Sequence, residues 1–256
     1  MGESSAEKVF FEIHSDLPRE APGSAASTRA AFALVSGLPR APLVVDMGCG
    51  PGAQTLELTC LTKGKILAVD THSPYLERLL ADAKRGGVSE QIQVLEQDMG
   101  ALELEAGTVD LVWAEGAAYV LGFEKALRTW RPLLKPKGSL AATELCWLEP
   151  QPPQEVRDFW GQNYPAMTNI ESNLEIIRKA GYEVIGNRQL PETDWWESYY
   201  TPMECRLDKL AERYRADSEA LAVIESQRDE IDLYRKYSRF FGYVFYVMQE
   251  ASTAHP

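Results

Sequence analysis

The residues Val44-Val45-Asp46-Met47-Gly48-Cys49-Gly50-Pro51-Gly52, followed after a helix-length gap by Ile66-Leu67-Ala68-Val69-Asp70, restrict this 256-residue chain more than any other feature. An apolar run ends in an acid, a glycine-rich turn follows, a helical segment crosses over, and a second apolar run ends in another acid. That order describes a βαβ unit whose turn lies against a nucleoside. Gly48 and Gly50 remove side chains where a ligand must approach backbone, and Pro51 pre-sets φ for the helix that begins there.

The turn alone suits any nucleotide. GCGPGA, with Ala53 in the third place, passes the permissive dinucleotide fingerprint, and Asp70 is spaced for a ribose hydroxyl, which keeps a nicotinamide-dependent oxidoreductase as an alternative. Asp46 separates the readings. It is expected to set a carboxylate at the strand tip, where a dinucleotide would bring its pyrophosphate to uncompensated amides. No Lys or Arg occurs between Val44 and Leu61 to neutralise a phosphate. A ligand with an ammonium and a sulfonium at that end and an adenosine at the other turns the same acid into an attraction, and S-adenosylmethionine is such a ligand.

On these residues the chain resembles the class I S-adenosylmethionine-dependent methyltransferases, whose first motif is an acid followed by GxGxG and whose second strand ends in a ribose-binding acid. DMGCGPG and AVD fit both. Val94-Leu95-Glu96-Gln97-Asp98-Met99 resembles the segment in which that family places an adenine-contacting acid, and Val109-Asp110-Leu111-Val112-Trp113-Ala114-Glu115 resembles its fourth-strand motif. Within the family the chain is similar to small-molecule enzymes of the ubiquinone-biosynthesis type. The specific motifs cover roughly 43–145, and no NPPY-like or DPPY-like tetrapeptide follows the fourth strand, where Ala114-Glu115-Gly116-Ala117 stands instead. The resemblance implies a Rossmann-like, doubly wound, mostly parallel seven-stranded α/β sheet with an antiparallel last strand. It also implies methyl transfer to a small acceptor by in-line displacement.

Composition agrees. With 45% hydrophobic residues the chain can bury a full α/β core, and its 38 acids against 26 bases, a formal charge of −12, argue against a phosphate-backbone partner. Cys49, Cys60, Cys146 and Cys205 are widely spaced, with no CxxC pair and no histidine cluster, so neither zinc nor a disulfide framework is expected. A reducing cytoplasm fits. The N-terminus lacks a signal-peptide pattern, no run approaches the ~20 apolar residues of a membrane span, and Met1-Gly2 lacks the Ser or Thr that a myristoylation motif needs at position 6. The partners expected are a small-molecule acceptor and, as an option, a second copy of the chain.

Along the chain, 24–37 reads as a helix ending at Gly37-Leu38-Pro39, and 16–37 as a segment lying over the cofactor. Ser73-Pro74 reads as the cap and first position of a helix that stops at Gly86-Gly87. A further helix carries Phe123, Ala126, Leu127, Trp130 and Leu134, ends at Lys135-Pro136-Lys137-Gly138, and leads into a strand from Ser139. The segment 172–180 reads as a helix, and 182–190 and 242–249 as strands. Two stretches, 149–168 and 191–241, exceed this plan. In the second, 203–214 and 217–239 have helical periodicity and read as a lid. The organisation expected is one domain over 1–256, with a cofactor-binding core at 43–149 and a helical lid insertion at 191–241.

The expected cofactor-binding residues are Arg19, Asp46, Gly48, Cys49, Gly50, Gly52, Asp70, Thr71, Asp98, Met99 and Glu115. Arg19, the one cation near the N-terminal side of the site, is a candidate for the cofactor carboxylate. Methyl transfer from a sulfonium mainly needs donor and acceptor held in line in a dry pocket, and a base helps where the acceptor must lose a proton. Glu115, at the end of a buried-type strand, Glu144, an acid inside an apolar run, and Tyr119 are the catalytic candidates. Aromatics concentrate where an acceptor should bind, at Tyr119, Trp147, Trp160, Tyr164, Trp195, Trp196, Tyr199 and Tyr200, and of these Tyr119, Trp147, Trp195, Tyr199 and Tyr200 are the expected substrate contacts. His14, His72 and His255 lie in no nucleophile motif and read as loop or surface histidines. The competing class is a protein that binds S-adenosylmethionine without catalysis, because no unmistakable base stands out.

Overall fold

The structure, a computed structural model, describes residues 5–251; Met1-Gly2 and His255 lie outside them. Two helices, α1 (Ser5–His14) and α2 (Ala25–Phe32), precede β1 (Leu43–Met47), α3 (Ala53–Leu61), β2 (Lys65–Asp70), α4 (Ser73–Gly86) and β3 (Ile92–Glu96). There follow β4 (Val109–Ala114), α5 (Phe123–Trp130), β5 (Leu134–Trp147), α6 (Gln154–Asn163), the two-residue β6 (Thr168–Asn169), α7 (Ile170–Lys179) and β7 (Tyr182–Gln189). The chain then runs through α8 (Glu192–Trp195), a π-helical turn (Trp196–Tyr200), α9 (Thr201–Arg213) and α10 (Ser218–Tyr237) into β8 (Phe241–Glu250).

The sheet runs 3-2-1-4-5-8-7, with β1 to β5 parallel and β8 antiparallel to both β5 and β7. It has eight strands instead of the expected seven, because β6 pairs with the end of β5 at Cys146 and Trp147. Successive strand residues point to opposite faces. Val44, Leu111 and Phe245 therefore join a core under α2 and the α8–α10 region, while Val45, Val112 and Val244 join another with Leu127 and Trp130 of α5. Both faces are covered, which is why β4 is buried along its whole length.

Several boundaries differ from the sequence expectation. The α2 helix stops at Phe32; its cap is Ser24, whose hydroxyl accepts the Ser27 N–H at 3.1 Å. Ser73 lies inside α4 and does not cap it, and its hydroxyl reaches Glu96 at 3.0 Å. The fifth strand begins at Leu134, ahead of Ser139, because Leu134 pairs with Val109 before a register shift, and Lys137 takes the turn with φ +63°. Two helices, α1 and α6, belong to stretches for which no element was expected. The 191–241 insertion is joined to the sheet by one continuous apolar cluster in which Trp195, Met203, Leu207 and Tyr234 pack with Trp113 and Phe245. Helix α1 packs on α9 and α10, and the Ser5 hydroxyl donates to Asp217, the cap of α10, at 2.5 Å.

Candidate active site

The floor of the site is the backbone beyond β1 and β2. Gly48, Gly50 and Gly52 have φ of +66°, +53° and +88°, a region that side-chain-bearing residues rarely enter. A Cβ on Gly48 would stand 2.5 Å from that of Ala117, and one on Gly52 would collide with the Leu79 side chain. Asp70 fixes the loop from the neighbouring strand: one carboxylate oxygen accepts the Gly50 N–H and the other the His72 N–H, each at 2.9 Å. The resulting cavity of about 400 Å³ is lined by Gly48, Cys49, Gly50, Asp70, Thr71, Asp98 and Met99, all from the expected cofactor set. Burial pushes the Cys49 thiol well above its ordinary range, followed by the charges of Asp46 and Asp70, so Cys49 contributes a neutral wall.

Asp46 is a correction. Its side chain is fully buried and does not line the cavity; it points beneath the loop, where the Thr55 hydroxyl donates to it at 2.6 Å. Desolvation pushes its carboxyl up to about 7 against the opposing Thr55 bond, so it is not the exposed carboxylate expected at the ligand's edge. Gly52 also contributes backbone packing against α4, outside the cavity lining. The acids that face the cavity are Glu20, Asp70, Asp98, Glu115 and Glu230. They keep the surroundings unfavourable to a pyrophosphate without any help from Asp46.

Glu115 is a second correction. One of its oxygens accepts from Arg19 at 2.7 Å, and the other from the Thr28 hydroxyl at 2.7 Å and the Trp113 indole at 2.9 Å. With both partners of the ion pair buried, this carboxylate locks the 19–28 segment onto the tip of β4. Three of its roughly four acceptor positions are filled and its charge is paired with Arg19, so it is poorly suited to act as a base. Arg19 lines the cavity but commits its guanidinium to Glu115 and Thr28, so its expected pairing with a cofactor carboxylate competes with a bond already made.

Beside this cavity lies a smaller chamber of about 210 Å³. Glu20, Gly116, Tyr119, Tyr199 and Glu230 border both. Trp160, Tyr164, Trp195 and Tyr243 line the chamber beside Leu145 and Asn163, with the rings arranged edge-on or tilted, as in the Tyr119–Tyr164 pair at 6.2 Å and the Trp195–Tyr243 pair at 5.4 Å. Tyr119, Trp195 and Tyr199 thus stand where an acceptor was expected. Trp147 and Tyr200 do not. Trp147 borders a separate surface hollow with Pro150 and Met167, and Tyr200 is packed among Trp195, Trp196 and Tyr234 with its hydroxyl on Glu230 at 2.8 Å. Glu144 stands behind the chamber wall: it accepts from the Tyr164 hydroxyl at 2.5 Å, its other oxygen is buried without a partner, and desolvation pushes it up to about 8.

His14, set aside on sequence, lines the larger cavity at only 5% exposure. Its Nδ1 bonds Glu20 at 3.0 Å, and its Nε2 is buried without a partner. The signal was available in part: Phe10 and His14 are one helical turn apart with their rings tilted at 4.5 Å, while Phe11 stacks flat on His72 at 4.2 Å, so α1 closes the cavity through an aromatic face. Glu20, Glu230 and Tyr243 were also missed, since each reaches the site from a segment without a motif. Among the described residues no group of three or more His, Cys, Asp or Glu is placed to hold a metal ion, and no helix is long and apolar enough to cross a membrane.

Residues 44–138 match the family model described as "Methyltransferase domain". The chain is 23% identical over 182 residues to the sterol 24-C-methyltransferase of Saccharomyces cerevisiae, covering 67% of this chain and 47% of that protein. It spans about half the length of the sterol 24-C-methyltransferases it matches. Over 94% of its length it superposes on 98% of YjhP from E. coli with a TM-score of 0.81 at 19% identity. It likewise superposes on 97% of an S-adenosylmethionine-dependent methyltransferase from Geobacter sulfurreducens, crystallised with S-adenosyl-L-homocysteine, with a TM-score of 0.80 at 17% identity. Residues 44–138 are accordingly a methyltransferase domain, and the fold that carries them is that of the class I S-adenosylmethionine-dependent methyltransferases.

Proposed function

We propose that the protein transfers the methyl group of S-adenosylmethionine to a small-molecule acceptor. One observation carries this reading: a glycine-floored, acid-rimmed cavity lies directly against an aromatic chamber, with Glu20, Gly116, Tyr119, Tyr199 and Glu230 lining both. The floor fits the cofactor, because a Cβ at Gly48 would fill the cradle, and Asp70, Asp98 and Met99 stand where ribose and adenine would lie. When bound there the cofactor supplies an electrophilic methyl carbon on sulfur. The chain's own part is to hold the acceptor in line behind that carbon, to exclude water with the rings of the chamber, and to remove a proton where the acceptor carries one. His14, which lines the cavity, is the group suited to that proton, with Glu20 fixing the Nδ1 side and Nε2 buried without a partner. A base so placed favours catalysis over binding alone. The charge of −12 supports a small acceptor over nucleic acid, and the four unbonded cysteines support a reducing cytoplasm.

Titration calorimetry with S-adenosylmethionine and S-adenosylhomocysteine tests the reading. Both should bind, and Asp70→Ala, which removes the ribose partner and frees the Gly50 loop, should weaken binding at least tenfold, a loss of ~1.5–3 kcal/mol for bonds to a charged group. Absence of binding by either nucleoside overturns it. With an established acceptor, His14→Gln should lower turnover by ~100-fold or more.

A further inference from the structure

Resting on the reading of the site as a methyltransferase, we infer that the inner chamber takes a small organic amine carrying a neutral oxygen: its ammonium sits between Glu20 and Glu230 inside the ring of tyrosines, and its oxygen meets the tryptophans. Three independent features support this. The first is charge. Among the described residues, the acids lining the chamber are Glu20 and Glu230, and no Lys or Arg lines it; burial raises Glu230 above the usual carboxylate range, which an ammonium beside it would offset. Arg19, the cation of the neighbouring cavity, is neutralised by Glu115 at 2.7 Å. An anionic acceptor would enter against uncompensated like charge, whereas a cation would find two partners.

The second feature is the walls. Tyr119, Tyr164, Tyr199 and Tyr243 present π-systems, whose faces attract a cation once water is excluded. The Tyr164 hydroxyl is committed to Glu144 at 2.5 Å, so what this residue offers the chamber is its ring. Glu230 is held in place by the Tyr200 hydroxyl on Oε1, and Glu20 by His14 on Oε2 with the Tyr75 hydroxyl also against it.

The third is hydrogen-bond accounting. Trp160 and Trp195 line the chamber at 7% and 2% exposure, and neither indole N–H has an acceptor in the protein. Buried donors of this kind are nearly always satisfied, so a ligand with a neutral oxygen fits them. Glu20, which lines both spaces and bonds His14 Nδ1, completes the chemistry: the bound ammonium gives a proton to this pair, which exposes the nitrogen lone pair. The N–C bond then forms as the sulfonium C–S bond breaks, and that electron pair leaves with sulfur as a neutral thioether.

The probes are tyramine, tyrosol and 4-hydroxyphenylacetate, which share one phenol and differ in carrying an ammonium, a hydroxyl or a carboxylate at the other end. Each is titrated calorimetrically into protein saturated with S-adenosylhomocysteine. Tyramine should bind at least ~10-fold more tightly than tyrosol, and 4-hydroxyphenylacetate weakest of all. In Glu230→Gln the tyramine advantage should shrink several-fold, with tyrosol affinity little changed. Equal or tighter binding of tyrosol or the carboxylate overturns the inference, as does failure of tyramine to bind. The wild-type ranking decides alone if the variant does not fold. If S-adenosylhomocysteine itself does not bind, the methyltransferase reading falls first, so the two failures are separate.

Discussion

The two halves of the site are built on opposite principles. The larger cavity rests on backbone: three glycines with positive φ, strand ends held in parallel register, and one carboxylate, Asp70, tying the turn to the next strand. The inner chamber rests on side chains delivered from the 16–23 segment, the turn after β4, α6, the α8 region, α10 and β8. A backbone floor can change little without losing the fold, whereas a side-chain chamber can be re-lined one residue at a time. Acceptor choice therefore resides in the second half. The two halves are joined through the 19–28 segment, which is anchored by the buried Arg19–Glu115–Thr28 network and, on the α8 side, by the Ser27 hydroxyl and Gly23 N–H on Asp194.

That joint gives the largest expected effect. Arg19→Met leaves Glu115 buried without its counter-charge, which should cost about 3–5 kcal/mol of stability, while the double change Arg19→Met with Glu115→Gln, which keeps an acceptor for Trp113 and Thr28, should recover part of the loss. Denaturant unfolding measures both, and hydrogen exchange should show the 19–28 segment deprotected with β1 to β3 unchanged. A loss under ~1 kcal/mol would mean that the two halves are not joined here.

The floor is tested by Gly52→Ala. The residue has φ +88°, and an added Cβ meets the Leu79 side chain, so strain and overpacking together should cost about 2–4 kcal/mol. Gly87→Ala is the contrast: φ is +68°, but nothing lies within 4 Å of the added Cβ, so only the strain of about 1 kcal/mol remains. Similar losses at the two positions would show that the close approach of the loop to α4 contributes nothing.

This division also explains what could be read from the chain. Positive-φ glycines, strand-end acids and apolar runs are local signals, so β1 to β5, the loop and the positions of Asp70, Asp98 and Met99 were legible before any coordinates. Burial of a polar residue is not local. Asp46 and Glu115 sit at the right chain positions, but one turns under the loop toward Thr55 and the other is captured by Arg19, 96 residues away. His14 and Glu230 belong to the site because α1 docks on α10, a contact between segments more than 200 residues apart that no periodicity announces. Trp147 and Tyr200 show the converse: aromatic residues in the expected stretches that their elements turn toward other surfaces.

The smallest effect concerns whether the floor is charged. Asp46 titrates at about 7 in the folded protein against 3.8 in an unfolded chain, because burial opposes its ionised form more strongly than Thr55 favours it. Between pH 4 and 7 the folded state therefore holds a proton that the unfolded state has released. Stability contributed by this group is complete below pH 4, falls as pH rises through the window, and is constant above it. Glu144, raised from 4.5 to about 8, acts in the same direction over a window that extends higher. Asp46→Asn should remove one of these two contributions, making the stability–pH slope between pH 5 and 6.5 less negative by about 1.4 kcal/mol per unit. Urea midpoints at four pH values would measure it. An unchanged slope would mean that Asp46 is ionised beneath the loop, and the floor would then attract a cationic ligand by the same electrostatics as the chamber.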